Sequence, residues 1–140
     1  MNASQIIDKV IGFYTKKHNP RAKKGEDEYF YVIYKNGKKT HDPVGQCMYK
    51  KYRTVKYNWE QQSIEKIRDI SGGSLDNILL KSYHGQPLIF WKDLQYVHDI
   101  DDFWDLNSET PKLSHLGEER INFLKKFYSV NLEKSNSVMV

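Results

Sequence analysis

The stretch from residue 90 to residue 105, FWKDLQYVHDIDDFWD, concentrates side chains that often do chemistry in proteins. It holds one His and five Asp, together with two Phe and two Trp. An imidazole beside a carboxylate can hold a metal ion or move a proton. The same residues can also end a helix in an acidic turn, where carboxylates cap the next segment and oppose the positive end of its dipole. The stretch is therefore either a working site or a structural element.

A second His-Asp pair, His41-Asp42, allows a comparison with metal-dependent phosphohydrolases, and His84 and His115 could complete a ligand set. Those enzymes carry their ligands on several long helices, whereas His41 follows a predicted hairpin. The sequence therefore favours a structural His98 that hydrogen-bonds near the acidic turn. It predicts no metal, no cofactor and no catalytic residue, and leaves a His-Asp phosphohydrolase as an alternative.

Cys47 is the only cysteine, which excludes an intramolecular disulfide and a zinc site built from several cysteines. Basic neighbours could activate its thiol as a nucleophile, but a lone Cys without a recognisable His partner is more often a small buried residue. The stretch GKKTHDPVGQ lacks the spacing and the Lys-Ser/Thr ending of a phosphate-binding P-loop. The sequence thus favours binding over catalysis.

Basic residues alternate with tyrosines in the N-terminal half of the chain. Residues 1–60 carry 13 Lys or Arg and 6 Asp or Glu, whereas residues 61–140 carry 9 and 12. Cations bind phosphate and phenol rings stack on bases, a combination suited to nucleotides and to single-stranded nucleic acid. The competing interpretation is a lysine-rich surface over core tyrosines. The predicted ligand-binding residues are Arg21, Lys23, Lys24, Tyr29, Tyr31, Lys38, Lys39, Tyr49, Lys50, Lys51, Arg53 and Tyr57.

Hydrophobic periodicity predicts the elements that must position these residues. Helices are expected over residues 4–18, 59–70, 87–99 and 114–128, with a short one after Ser74. The run EYFYVIY followed by Asn36-Gly37 predicts a tight antiparallel hairpin. The predicted fold class is α+β: a mainly helical single domain over residues 1–128 with one small hairpin, followed by a disordered tail over residues 129–140.

The helix begun by Pro87 has a broad apolar face and is expected at the centre of the core. Trp91 lies on it, and Trp104 is expected to fold back beneath the acidic segment and close the core around His98. Both indoles are therefore predicted to be buried.

Several short motifs appear in a characteristic order: PVGQCM at 43–48, ISGGSLDNIL at 70–79, FWKDLQYVHD at 90–99, Phe103-Trp104, and LSHLG at 113–117. This order resembles that of a loose set of small phage and prophage proteins. The match spans about residues 42–127, and the chain departs from it by a Lys- and Tyr-rich insertion.

The resemblance implies a phage-type accessory protein of the host cytoplasm that antagonises a host defence component or sequesters an anionic nucleotide signal. The expected partner is anionic: a nucleotide, a nucleic acid or an acidic host protein. A nucleic-acid-binding protein is the main alternative. No apolar run reaches the length of a membrane span, so no membrane partner is expected. A homo-oligomer is left open.

Overall fold

The computed structural model describes residues 1–16, 21, 32–35, 38–52, 63–108 and 111–139; for residues 32–35, 38–40 and 130–139 it describes the backbone alone. Five α-helices lie within these ranges. They are α1 (Ala3–Phe13), α2 (Pro43–Cys47), α3 (Ile64–Ile70), α4 (Leu88–Asp99) and α5 (His115–Met139). Short 3-10 turns lie at Lys50–Tyr52, Leu75–Asn77, Lys81–Tyr83 and Asp101–Phe103.

The helices begin where side chains satisfy the first free N–H groups. Asn2 and Gln5 form a reciprocal capping box at α1, Asp42 caps α2 and Ser63 caps α3. Helix α1 is shorter than predicted and begins earlier, because Asn2 rather than Ser4 is the cap. Helix α5 continues to Met139, whereas the sequence predicted a helix ending at residue 128 and a tail beyond it.

The predicted α+β class is wrong, because the described part of the chain is mainly helical and its core is built from helices and the turns between them. Segments Val32–Lys35 and Lys38–His41 are extended and pair antiparallel, with Val32 opposite His41. Two paired segments of this length add no layer to a core. The run of β-branched and aromatic residues indicated this local extension correctly but not the class. The predicted turn at residues 36–37 lies outside the described residues.

Helix α4 is the centre of the core, as predicted. It contacts each of the other four helices, and Phe90, Trp91, Leu94 and Val97 on it are fully buried. Because α4 is surrounded in this way, its C-terminal residues enter the protein interior and the following turn is held against α5. None of the described helices combines the length and the apolar composition needed to cross a membrane.

Candidate functional site

The His98-Asp99 pair ends α4 and faces the interior. His98 is fully buried, and its Nδ1 lies 2.7 Å from Asp99 Oδ1. Asp99 also accepts a hydrogen bond of 3.1 Å from Gln95 Nε2, one turn earlier on the same helix. An imidazole with no exposed surface cannot meet a substrate from solvent. This geometry is the one expected of a structural histidine.

Arg21 clamps the end of α4 to the acidic turn. Its Nη1 donates to the His98 carbonyl at 2.7 Å, and its Nη2 donates to Asp101 Oδ1 at 2.6 Å. The guanidinium also lies over the Trp104 ring, 5.4 Å from its centroid. The last carbonyls of a helix lack partners within the helix, and a cation there also favours the dipole. Arg21, a predicted ligand-binding residue, therefore uses a donor of each terminal nitrogen within the protein itself.

Both indoles predicted to be buried are buried. Trp91 is fully enclosed, and Trp104 is 6% exposed with its Nε1 donating to the Val97 carbonyl at 2.8 Å. The acids of the turn have a different role from the predicted capping. No side chain caps the 3-10 turn Asp101–Phe103, and Asp101 binds Arg21 instead. Trp104 thus closes the core as the sequence predicted, and the turn is anchored by an ion pair.

Tyr14 contacts one residue of each of the two His-Asp pairs of the sequence. Its hydroxyl donates to the His41 carbonyl at 2.5 Å, and its ring centroid lies 4.9 Å from that of His98. Burial, together with the charges of Asp42 and Asp99, raises the pKa of Tyr14 well above its usual value. A phenol that stays protonated acts here as a hydrogen-bond donor, so the cluster is a packing element of the core.

The residues considered for a metal site do not converge in the described part of the chain, where no group of three or more His, Cys, Asp or Glu is arranged to hold a metal ion. His84 Nε2 lies 2.8 Å from the Leu79 carbonyl, and exposed His115 pairs with Glu119. Cys47 is fully buried, as predicted, so solvent does not reach its thiol.

An open depression beside the acidic turn is lined by residues 101–102, 104–107 and 112–115. Its carboxylates include Asp105, which caps its own turn through the Asn107 N–H and lies 3.6 Å from Lys112 Nζ. The depression is net acidic, so its charge opposes the binding of a phosphate or another anion.

Exposed lysines also lie on two chain segments that are joined by backbone pairing. Met48 and Leu79 form an antiparallel bridge, Tyr49 N–H donates to Ile78 O at 3.0 Å, and Leu80 N–H donates to Cys47 O at 2.8 Å. Each segment continues into a short 3-10 turn, Lys50–Tyr52 on one side and Lys81–Tyr83 on the other. We call Tyr49, Lys50, Lys51, Tyr52 and Lys81 the basic surface.

Both segments of the basic surface lie in stretches without a single carboxylate side chain. Residues 43–59 and residues 77–92 contain no Asp or Glu. Tyr49 is 40% exposed, Lys50, Lys51 and Lys81 are exposed, and Lys51 lies 5.0 Å from the Tyr52 ring. Lys9 of α1 lies over the Tyr83 ring at 5.7 Å, next to the same turn. An ammonium group and a phenol ring therefore lie side by side at each of the two turns.

The carboxylate found bonded beside this region is Asp76, which accepts the Gly85 N–H at 3.1 Å. Asp76 is half-buried, and its hydrogen bond to Gly85 holds the loop before α4. Sequence reasoning missed Lys81 and Lys9, although the acid-free stretch 77–92 was a visible signal. What the sequence could not provide was the bridge between Met48 and Leu79, which connects two stretches far apart in the chain.

The remaining predicted ligand-binding residues are placed as follows. Lys38 and Lys39 lie in the second extended segment, of which the backbone alone is described. The structure thus brings Tyr49, Lys50 and Lys51 together and places Arg21 elsewhere, at the end of α4. Outside the described residues lie Lys23, Lys24, Tyr29, Tyr31, Arg53 and Tyr57.

No protein-family model matches the chain, and no curated protein or solved structure matches it either.

Proposed function

We propose that the chain is a non-enzymatic binding protein that holds an anionic partner on the basic surface. The observation that carries the proposal is the exposed run Tyr49, Lys50 and Lys51 in a stretch without Asp or Glu. The Met48–Leu79 bridge ties this stretch to a second one without Asp or Glu, which bears exposed Lys81. Lysine ammonium groups attract phosphate oxygens, and a phenol ring offers a stacking face to a base.

Binding is favoured over catalysis by the contrast between the two candidate sites. The His98-Asp99 pair has the residue types of a catalytic centre, yet His98 is fully buried and both residues are engaged within the core. The basic surface is exposed for the most part and consists of lysines and tyrosines. A His-Asp phosphohydrolase is therefore the weaker proposal.

The finer proposal is that the anion is a nucleotide signal and that the chain is a phage-type accessory protein acting against a host defence component in the host cytoplasm. An exposed Tyr beside lysines supports the nucleotide, and the phage-type role rests on the motif resemblance. A nucleic-acid-binding protein would use the same surface. The two differ in salt dependence, because binding to several phosphates releases several counterions whereas a small nucleotide releases few.

The test replaces Lys50, Lys51 and Lys81 together by Ala. The matched control removes the same charge elsewhere by replacing the exposed residues Lys16, Lys66 and Lys112. The probes are a fluorescein-labelled oligo-dT and a labelled adenine nucleotide, followed by anisotropy over a salt series. We expect the first triple variant to bind at least about tenfold more weakly and to show a salt slope reduced by about 0.7 for each lost phosphate contact to oligo-dT.

Circular dichroism of both variants establishes that they remain folded. Equal losses in the two triple variants would mean that net charge, and not this surface, controls binding. Unchanged affinity in the first variant would refute the proposed site.

A further inference from the structure

Helix α5 carries a second surface, which is mainly apolar and aromatic rather than basic. Leu116 is 49% exposed, Phe123 is 54% exposed and Phe127 is 43% exposed. With Arg120 they follow one another at intervals of four, three and four residues, the spacing of inward positions in a coiled coil. We call these four residues the outer stripe.

The outer stripe is distinct from the stripe that α5 uses in its own core. The buried residues Gly117, Ile121, Leu124 and Tyr128 repeat with the same intervals, each one position later in the chain. One residue corresponds to a rotation of about 100° around a helix. Helix α5 therefore carries two rows of mainly apolar residues, one buried in the core and one whose Leu and Phe side chains are exposed.

Arg120 sits within the outer stripe in a fixed position. Its guanidinium lies 5.8 Å from the Tyr96 ring of α4 and 5.4 Å from the Phe123 ring, and its Nη2 lies 3.9 Å from Asp93 Oδ1. Phe123 in turn packs almost parallel to Phe127, with centroids 5.9 Å apart. These contacts hold the exposed rings in place before any partner binds, which lowers the entropic cost of association.

We infer that the outer stripe binds a second copy of this chain, with the two α5 helices antiparallel. In that register Leu116 faces Phe127 of the second copy, and Arg120 faces Phe123 of the second copy. The cation–π contact seen within one chain is thus available between chains. Such an interface is self-complementary, as a twofold dimer requires.

The charges beside the outer stripe also favour a second copy of the chain with its α5 antiparallel. Glu119 and Lys126 each precede a stripe residue, both are exposed, and both lie on the edge away from the core stripe. In antiparallel pairing Glu119 of each copy lies beside Lys126 of the other, giving two attractive pairs. In a parallel pair Arg120 would face Arg120, and neither Glu119 nor Lys126 would face an opposite charge on the second copy. The charge pattern therefore favours an antiparallel second copy.

Sedimentation velocity over a concentration series tests this inference. We expect the native chain to form dimers and Phe123→Glu to be monomeric. Glu119→Lys should weaken the dimer by about threefold to thirtyfold, because two rim pairs become repulsive. Combining Glu119→Lys with Lys126→Glu should restore it, since the pairs are exchanged. Glu118→Lys, on the face away from the outer stripe, is the control and should leave the dimer unchanged.

A native chain that stays monomeric at the highest soluble concentration would overturn the inference, as would a dimer unaffected by Phe123→Glu. A double variant as weak as Glu119→Lys alone would exclude the antiparallel register. Circular dichroism of each variant separates lost association from lost folding. The basic surface contains none of these residues, so anion binding is measured independently.

Discussion

Gly117→Ala should destabilise the chain, against the usual preference of helices for Ala. A Cβ atom at this position would lie 2.0 Å from the Phe103 carbonyl oxygen and 2.9 Å from its carbon. That is roughly 1.4 Å short of ordinary contact, and the obstacle is backbone. The same oxygen accepts the Ser114 N–H at 3.0 Å, so moving it disturbs the entry to α5 as well.

The magnitude follows from two opposed effects. Ala gains about 0.5–1 kcal/mol over Gly within a helix, whereas forcing extra volume into a packed site costs typically about 1–3 kcal/mol, and more when the neighbour is rigid. We expect a net loss of about 2 kcal/mol in the free energy of unfolding, which lowers Tm by roughly 4–8 °C for a domain of this size. Urea and thermal unfolding followed by circular dichroism measure both quantities.

Gly12→Ala is the matched control. Gly12 also lies in a helix, and a Cβ there would meet nothing within 4 Å. This substitution should be neutral or should stabilise the chain by up to about 1 kcal/mol. If Gly117→Ala proved as stable as Gly12→Ala, α5 would not approach the turn Asp101–Phe103 as closely as described, and the reasoning would be refuted.

Three further predictions concern the core around His98. Burial raises the pKa of Tyr14, so the folded chain keeps a phenol proton that the unfolded chain loses above about pH 10. The resulting stabilisation is complete below that pH and falls as the pH rises. Tyr14→Phe should therefore flatten the fall in the urea-measured free energy of unfolding from about pH 9 to about pH 11. A decline as steep as that of the native chain would exclude this role. Arg21→Gln should cost about 1–3 kcal/mol of unfolding free energy by removing charge-assisted hydrogen bonds to the His98 carbonyl and Asp101, and an unchanged Tm would disprove the clamp. Trp91→Ala should lower the free energy of unfolding by about 3–5 kcal/mol and prevent stable folding, whereas Asp99→Asn should lower it by about 1 kcal/mol. Loss of anion binding in a folded Asp99→Asn variant would instead make the His98-Asp99 pair a functional site.

The sequence predicted the interior better than the architecture around it. The stripes of α4 required Trp91 inside, and the spacing to Trp104 allowed the indole to close the core; both are local consequences of helical periodicity. The fold class failed because β-branched and aromatic residues indicate extended backbone without indicating whether a sheet contributes to the core. Contacts outside the described residues remain predictions.

The candidate site was predictable only in part, for a physical reason. Tyr49, Lys50 and Lys51 are neighbours in the chain, so their combination of charge and rings was visible in the sequence. Lys81 lies on a second segment that is tied to theirs by the Met48–Leu79 bridge, a long-range backbone pairing with no periodic signal. Arg21 showed the opposite problem: an arginine in a basic stretch suggested a ligand, but the His98 carbonyl and the Asp101 carboxylate accept its hydrogen bonds.

The most direct test of anion binding at the basic surface is a titration of the 15N-labelled chain with inorganic pyrophosphate and then with a short oligo-dT, followed by amide chemical shifts. We predict that the largest changes occur in the turns Lys50–Tyr52 and Lys81–Tyr83, because both carry exposed lysines of the basic surface. Residues Asp101–Phe103 should change little, since their surroundings are acidic. Changes confined to Asp101–Phe103 and the end of α4, with both lysine turns unaffected, would contradict the proposed function.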